Sequence, residues 1–161
     1  MIEFESVRLQ FPSDANIMVG QSHFIKTVED VYEAIVNAVP QAKFGIAFNE
    51  ASGPCLTRYD GNDEELKQTA VDMAQAVAAG HTFYVVLRNA FPINLTNAIQ
   101  NVPEVVSLYC ATANPVDVIV ARTELGRGIM GVIDGNSPKG VEGQEETTAR
   151  HEFLRKIGYK R

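Results

Sequence analysis

The sequence contains no tryptophan and only two cysteines in 161 residues. Cys55 and Cys110 stand far apart, and neither belongs to a CxxC pair. A disulfide-stabilised scaffold and a cysteine-based zinc site are therefore excluded. We expect two buried, reduced thiols, and for Cys110 a structural thiol is favoured over a catalytic one because no local motif accompanies it.

Positive charge is also scarce. Fourteen lysines and arginines stand against twenty aspartates and glutamates, which gives a net charge of -6 and an isoelectric point near 5.0. This balance argues against a broad surface for nucleic acid or for an anionic membrane. No apolar run reaches transmembrane length, and acids stand near the N-terminus where a signal peptide has basic residues. We therefore expect a cytoplasmic protein without a nucleic-acid or membrane partner.

Standard nucleotide-binding motifs are missing. No GxxxxGK[ST] occurs, and the formal GxGxxG at 126–131 is followed by strand-type residues, whereas a dinucleotide fingerprint opens a helix. A phosphate could be bound by the amides and positive charge of two segments, the glycine-rich strand with Arg127 and Gly128 and the turn that ends at Lys139. The alternative is purely structural: the two strand glycines allow close packing, and the turn is an ordinary one.

Hydrophobic periodicity predicts an α+β or α/β layered single domain over residues 1–161, with a mixed β-sheet flanked by helices. A capping box at Thr27 is expected to open the first helix, the segment Asp60-Gly61-Asn62-Asp63 to cap the second, and Gly80 to end it. Strands are predicted near 2–11, 15–20, 43–48, 81–88, 105–109, 116–121 and 127–133, and helices near 28–39, 64–79, 91–101 and 145–157.

The last three predicted strands show little alternation of apolar and polar residues, which predicts that both of their faces are covered. Between 89 and 121 the only charges are Glu104 and Asp117. A segment so poor in charge is typical either of a central core or of a subunit interface. The last helix has a thin apolar stripe and should pack on the outside.

The sequence CATANP at 110–115 places small and polar residues between two apolar strands. Exposed amides, a hydroxyl and a carboxamide with small neighbours would let a flat ligand such as a nucleoside approach the main chain. The alternative is a corner between strands, in which Thr112 and Asn114 bond their own backbone and Pro115 fixes the turn. Composition leaves both interpretations open.

Three histidines are candidate nucleophiles, since a neutral ring nitrogen attacks phosphorus readily. His23 precedes the first long helix, His81 opens a strand, and His151 lies in the polar tail. A histidine at the boundary of an element is also often a hydrogen-bonded structural residue. Four carboxylates are candidate bases, although their spacing forms no metal-binding signature: Glu50, Asp60, Asp117 and Asp134.

Several segments together resemble the adenosine-specific kinase family, a small domain of archaea and some bacteria. They follow one another over nearly the whole chain, and CATANPV and the segment that ends in VIDG are the most distinctive. The segments are FGIAFNEASGP at 44–54, Arg58 with DGND at 60–63, GH at 80–81, AFPIN at 90–94, CATANPV at 110–116, GRGIMGVIDG at 126–135 and LRKIGYK at 154–160.

The resemblance implies a three-layer domain, assembled as a homo-oligomer and expected to be a trimer, that binds adenosine and AMP. It also implies a stably phosphorylated histidine, with phosphoryl transfer to or from adenine nucleotides, ATP as a further ligand and magnesium allowed. No other covalently bound cofactor and no protein-bound metal are expected. His81 is slightly preferred to His23 as the modified residue.

Carried over to this sequence, the family's site has three groups of residues. The residues expected around the nucleoside are Cys110, Ala111, Thr112, Ala113, Asn114, Pro115 and Asn94. Those expected near phosphate are Arg58, Arg127, Gly128 and Lys139, and the same cleft is expected to contain Glu50, Ser52 and Asp134. A pocket between subunits is expected, because ligand sites favour such crevices. An adenine-nucleotide-binding or sensing module without turnover, and a purely structural oligomer, stay open as alternatives.

Overall fold

The computed structural model describes residues 1–161 and confirms the predicted α+β class. The strands are β1 (Glu3–Arg8), β2 (Asn16–Ser22), β3 (Lys43–Asn49), β4 (Thr57–Gly61), β5 (Thr82–Arg88), β6 (Val105–Thr112), β7 (Val116–Arg122) and β8 (Arg127–Asp134). The helices are α1 (Thr27–Ala38), α2 (Glu64–Val77), α3 (Pro92–Gln100) and α4 (Gln144–Lys156).

The strands expected in one mixed sheet form two sheets, in which every pair is antiparallel. The larger sheet has the order β4-β3-β5-β2-β6, and the smaller one has the order β1-β7-β8. The chain crosses from one sheet to the other at the corner that follows β6. The sequence analysis missed β4, because its residues TRYDG are mostly polar and show no apolar alternation.

The larger sheet is the middle layer of the fold. Helices α1 and α3 cover one of its faces, and helix α2 together with the smaller sheet covers the other. Strands β3 and β5 are buried on both faces, so Phe44 and Ile46 contribute to one core while Ala47 contributes to the other. Tyr84 of β5 is fully buried in the second core.

The prediction that both faces of the last three strands are covered is wrong. Strand β7 alternates, with Val116, Val118 and Val120 buried, whereas β8 has no buried residue. The inner face of the smaller sheet packs on the larger one, but no element of the chain covers its outer face. The exposed side chains Phe4, Met130 and Ile133 belong to this smaller sheet.

Two predicted helix ends are wrong and one is confirmed. Thr27 does not cap α1, because its hydroxyl donates 2.5 Å to the carbonyl of Phe24 and lies 2.9 Å from the hydroxyl of Ser22. The left-handed residue that ends α2 is Ala78 and not Gly80. Asp63 caps α2 as predicted, since its side chain accepts the amide of Leu66 at 3.0 Å.

Helix α4 lies on the outside, as predicted, and none of its residues is buried. Its apolar side chains include Phe153, which is exposed. No helix of the structure is long and apolar enough to cross a membrane.

Candidate functional site

One end of the larger sheet brings together both candidate histidines, and we call it the histidine end. His23 directly follows β2, and His81 directly precedes β5. Because Gln21 of β2 pairs with Thr82 of β5 in antiparallel register, the two histidines lie at the same end of the sheet. The loop after β3 reaches this end too and carries Glu50.

A cavity of about 200 Å³ opens at the histidine end. Both histidines line it together with Glu50 and Ser52, so the structure places four predicted site residues around one space. The full lining is His23, Phe24, Ile25, Phe48, Glu50, Ala51, Ser52 and His81.

The ring of His23 is held by the main chain of Glu104. Nδ1 of His23 lies 2.9 Å from the carbonyl oxygen of Glu104, and the same oxygen accepts the main-chain amide of His23 at 3.1 Å. A carbonyl oxygen only accepts hydrogen bonds, so Nδ1 must carry the proton in the neutral ring. Nε2 is then the nitrogen that retains a free lone pair.

His81 has a different environment. Its φ of +61° lies in the left-handed region, which is uncommon for a residue with a side chain. Two main-chain hydrogen bonds hold it there: its amide donates to the carbonyl of Asn49 at 2.8 Å, and its carbonyl accepts the amide of Ser22 at 2.9 Å. Its ring forms no hydrogen bond and stacks on Phe48 with ring centres 5.9 Å apart. Backbone strain of this kind clusters at functional sites.

Glu50 organises the loop beside the cavity. One carboxylate oxygen accepts the amide of Leu56 at 2.8 Å, and the other accepts the guanidinium of Arg58 at 2.7 to 2.9 Å. The Leu56 amide, and after it Arg58, hold the pKa of Glu50 below its ordinary value. Glu50 is therefore ionised at neutral pH, and the charge of Arg58 is already paired.

A second cavity, of about 560 Å³, adjoins the first across Glu50. The glycine-rich start of β8 lines its other side, with Arg127 and Gly128. The guanidinium of Arg127 donates to the carbonyl of Val77 at 2.8 Å and forms an ion pair with Glu5. Arg127 thus lies near the predicted cleft, although its donors are engaged within the chain.

The CATANP segment is a corner between the two sheets. Thr112 Oγ1 accepts the amide of Asn114 at 3.0 Å, and the side-chain amide of Asn114 donates to Asp134 at 3.1 Å. The carbonyl of Pro115 accepts the amide of Gly135 at 2.9 Å. Thr112 thus bonds the backbone of the corner as that interpretation expects, whereas the side chain of Asn114 bonds a carboxylate and not its own backbone. Strand β6 already includes Cys110, Ala111 and Thr112.

Two other residues predicted around the nucleoside, Cys110 and Asn94, have structural roles. Cys110 is buried, as expected, and burial raises the pKa of its thiol to about 11, whereas Cys55, also expected to be buried, is exposed. Asn94 accepts the amide of Phe91 at 3.0 Å and so stabilises the first turn of α3. Ala113 is exposed beside the corner. Lys139 is exposed in a segment without helix or strand and forms no ion pair or hydrogen bond.

The predicted site is divided between opposite ends of the larger sheet. Strand β2 pairs with β6 from Ser22 opposite Val105 to Ile17 opposite Thr112. Along β2 five residues separate these points, which is about 17 Å at 3.3 Å per residue, and β6 uses seven residues for the same span because its register against β2 shifts twice. The histidine end contains His23, His81, Glu50 and Ser52. The CATANP corner and Asp134 lie far from it in the same chain.

Sequence reasoning missed two residues that shape the histidine end. Glu104 supplies the carbonyl that orients His23, and Asn49 anchors the loop that carries Glu50. The signal for Glu104 was present, because it is one of two charges in a segment otherwise free of them. No group of three or more His, Cys, Asp or Glu side chains is arranged to hold a metal ion.

Comparison with known proteins agrees with this architecture. The sequence model of the family described as "adenosine specific kinase" matches residues 7–160. The chain belongs to this family. The adenosine-specific kinase domain thus spans nearly the whole sequence, including both ends of the larger sheet.

A solved structure is similar over its full length. The crystal structure of the PH1918 protein from Pyrococcus horikoshii OT3 shares 45% sequence identity and superposes with a TM-score of 0.96. The match covers 100% of this chain and 99% of that one. No curated protein matched the sequence.

Proposed function

We propose that this member of the adenosine-specific kinase family is a phosphotransferase in which Nε2 of His23 carries a phosphoryl group to or from adenosine nucleotides. The observation that carries the proposal is the contact between Nδ1 of His23 and the Glu104 carbonyl. In the neutral ring this contact leaves the lone pair of Nε2 free, which is what a nucleophile at phosphorus requires.

The chemistry balances in two steps. In the first, Nε2 attacks the γ-phosphorus of ATP, the bond from that phosphorus to the bridging oxygen breaks, and ADP leaves with the electron pair. In the second, the 5′-hydroxyl of adenosine attacks the same phosphorus and the bond to Nε2 breaks, which forms AMP. The hydroxyl proton passes to Glu50 and on to solvent, and a magnesium ion would accompany the nucleotide.

The neighbours of His23 have defined roles in this proposal. His81 lines the same cavity and would contact the phosphoryl group from the opposite side. Arg58 would turn from Glu50 toward the added phosphate, since its side chain is 38% exposed. His81, slightly preferred on the sequence, becomes the second candidate for the modified residue, because its ring has no partner that fixes one tautomer.

Nucleoside binding at the CATANP corner, with Asn94 and Asp134, stays part of the proposal. In one chain this corner lies too far from His23 to share a ligand with it. A shared ligand would need the corner of one copy beside the histidine end of another, as a trimer would allow. The uncovered outer face of the smaller sheet and the exposed apolar side chains of α4 support a homo-oligomer.

Incubation with magnesium and ATP labelled at the γ-phosphate tests the proposal. We expect an acid-labile phosphohistidine on the peptide that contains His23, and AMP after adenosine is added. His23→Ala should abolish the label, whereas His151→Ala on the exposed helix α4 should keep it. The absence of both phosphohistidine and AMP in the wild-type protein would refute phosphotransfer, and light scattering of a monomer would refute the oligomer.

One observation favours a second candidate, an adenine-nucleotide-binding module without turnover. Arg58 and Arg127 are each paired with a glutamate, so neither offers a free charge to a transferred phosphate. Calorimetry with AMP and adenosine, with inosine as control, separates the two functions. Saturable binding of adenosine and AMP with no phosphohistidine, and with affinity unchanged in His23→Ala, would support the binding module.

A further inference from the structure

Glu104 has an unusual environment for a carboxylate. Only 2% of its side chain is exposed, and no hydroxyl, amide or ring donates a hydrogen bond to either of its oxygens. Its one cationic partner is Lys26, whose ammonium lies 2.6 Å from Oε1. A carboxylate removed from water and left with a single partner is costly for the fold.

The main chain of the same residue supplies a reason for its retention. The carbonyl of Glu104 holds both the amide and Nδ1 of His23. Lys26 lies three residues beyond His23, at the start of α1. Residue 104 therefore contacts both ends of the segment 23–26: its carbonyl accepts from His23, and its carboxylate pairs with Lys26.

We infer that the ion pair between buried Glu104 and Lys26 positions His23, by holding the Glu104 carbonyl against Nδ1 and so fixing the tautomer in which Nε2 is free. Glu104 and Lys26 are positioning residues, since neither needs to touch the phosphoryl group. The inference builds on the proposed function of His23, but the tautomer itself exists whether or not phosphate is transferred.

A neutral residue 26 would leave the Glu104 side chain buried without its cation, and the contact that holds residue 104 beside the start of α1 would be lost. The carbonyl of the same residue would then shift away from the imidazole. Asp30 is the other carboxylate that shares the Lys26 ammonium, and it remains on α1 when Glu104 is changed. The loss of Glu104 therefore does not leave Lys26 without a partner.

Lys26 offers the cleaner substitution because 48% of its side chain is exposed, so its removal opens no cavity. Lys26→Met removes the charge, Lys26→Arg keeps it, and Glu104→Gln neutralises the partner with nearly the same shape. Lys43→Met is the matched control, since Lys43 is an exposed lysine at the far end of the sheet.

Two readouts follow the imidazole directly. Nitrogen-15 NMR of the histidine rings distinguishes a protonated from an unprotonated Nδ1. Diethyl pyrocarbonate acylates an imidazole nitrogen through its lone pair, and peptide mass spectrometry gives the rate at each histidine. His151 serves as internal reference in every sample.

In the wild-type protein we expect a single Nδ1–H tautomer at His23. Lys26→Met and Glu104→Gln should both show averaging between tautomers. The rate of acylation at His23 relative to His151 should change by about tenfold, the lower end of the losses in metal affinity or activity that follow removal of the partner that orients a metal-ligating histidine. Lys26→Arg and Lys43→Met should match the wild type.

Three results would overturn the inference. The first is a wild-type His23 that is not in the Nδ1–H form. The second is a His23 that keeps this form and its reactivity in both Lys26→Met and Glu104→Gln, even if the melting temperature falls, because the pair would then be structural only. The third is Lys26→Arg behaving like Lys26→Met. A wild-type protein with the expected tautomer but no phosphohistidine would refute the proposed function and leave this inference standing.

Discussion

Replacement of Asn49 by alanine should loosen the loop that carries Glu50. Asn49 ends β3 and is 7% exposed, and its side chain forms three hydrogen bonds. Its Nδ2 donates to the carbonyl of Ala74 at 2.9 Å and to that of Ala79 at 3.2 Å, and its Oδ1 accepts the hydroxyl of Thr57 at 2.8 Å. The residue thus joins β3 to the end of α2 and to β4.

The size of the effect follows from what each partner retains. The Ala74 carbonyl still accepts the amide of Ala78 at 2.8 Å, and the Ala79 carbonyl still accepts the hydroxyl of Thr82 at 2.7 Å. No carbonyl is left without a donor, so the loss is that of three ordinary hydrogen bonds at about 1 kcal/mol each. We expect Asn49→Ala to lower the free energy of unfolding by about 3 kcal/mol.

Asn49→Asp is the matched variant, because it keeps the shape and the acceptor but replaces the donor by a carboxylate oxygen. That oxygen would face two carbonyl oxygens at neutral pH, so the destabilisation should exceed that of Asn49→Ala. Urea unfolding followed by far-ultraviolet circular dichroism, at one fixed protein concentration, measures both changes without a tryptophan probe. A loss below about 1 kcal/mol in Asn49→Ala, or a wild-type midpoint in Asn49→Asp, would refute the reasoning.

Three further predictions concern a close approach, two thiols and a carboxylate. Gly45→Ala should lower the free energy of unfolding by more than about 3 kcal/mol, because a Cβ there would lie 2.2 Å from the main chain of α2. Gly126→Ala, with open space around the new Cβ, should change the free energy of unfolding by less than about 0.5 kcal/mol. Urea titration compares the two variants, and equal effects would contradict the packing. A thiol reagent should modify exposed Cys55 in the native protein. It should reach Cys110 only after denaturation, because this thiol is buried and its pKa is raised to about 11. Two thiols that react fast in the native protein would be the contrary result. The pKa of Glu50 lies below its ordinary value of 4.5 because a main-chain amide of its own loop donates to it, so the stability it contributes is present above pH 4.5 and is lost as the pH falls through the lower folded-state pKa. Glu50→Gln should therefore flatten the acid side of the curve of urea midpoint against pH, and parallel curves for the two proteins would exclude this contribution.

Much of the fold could be predicted from local patterns. The four helices and seven of the eight strands follow from apolar periodicity, and the cap at Asp63 follows from turn chemistry. The failures have local causes as well. Thr27 satisfies its hydroxyl with the preceding turn instead of capping α1, and β4 is an edge strand whose polar residues carry no apolar signal.

The candidate site was predictable only in part. Sequence resemblance named residues of both ends of the larger sheet as one site, because a linear motif contains no information about which strand ends meet. The register of β2 against β5 and β6 brings His23, His81 and Glu50 together and places the CATANP corner at the other end. That separation is a property of non-local pairing, which composition and spacing do not specify.

Local pattern and residue type were enough to identify the family, the α+β class and the short list of candidate side chains. They could not predict which nitrogen of His23 is free, because that depends on a carbonyl oxygen eighty-one positions away along the chain. The burial of an isolated charge, Glu104, against Lys26 is likewise a product of the fold. Antiparallel pairing joins distant segments in space, and the protonation of an imidazole responds to whatever atom that pairing places beside it.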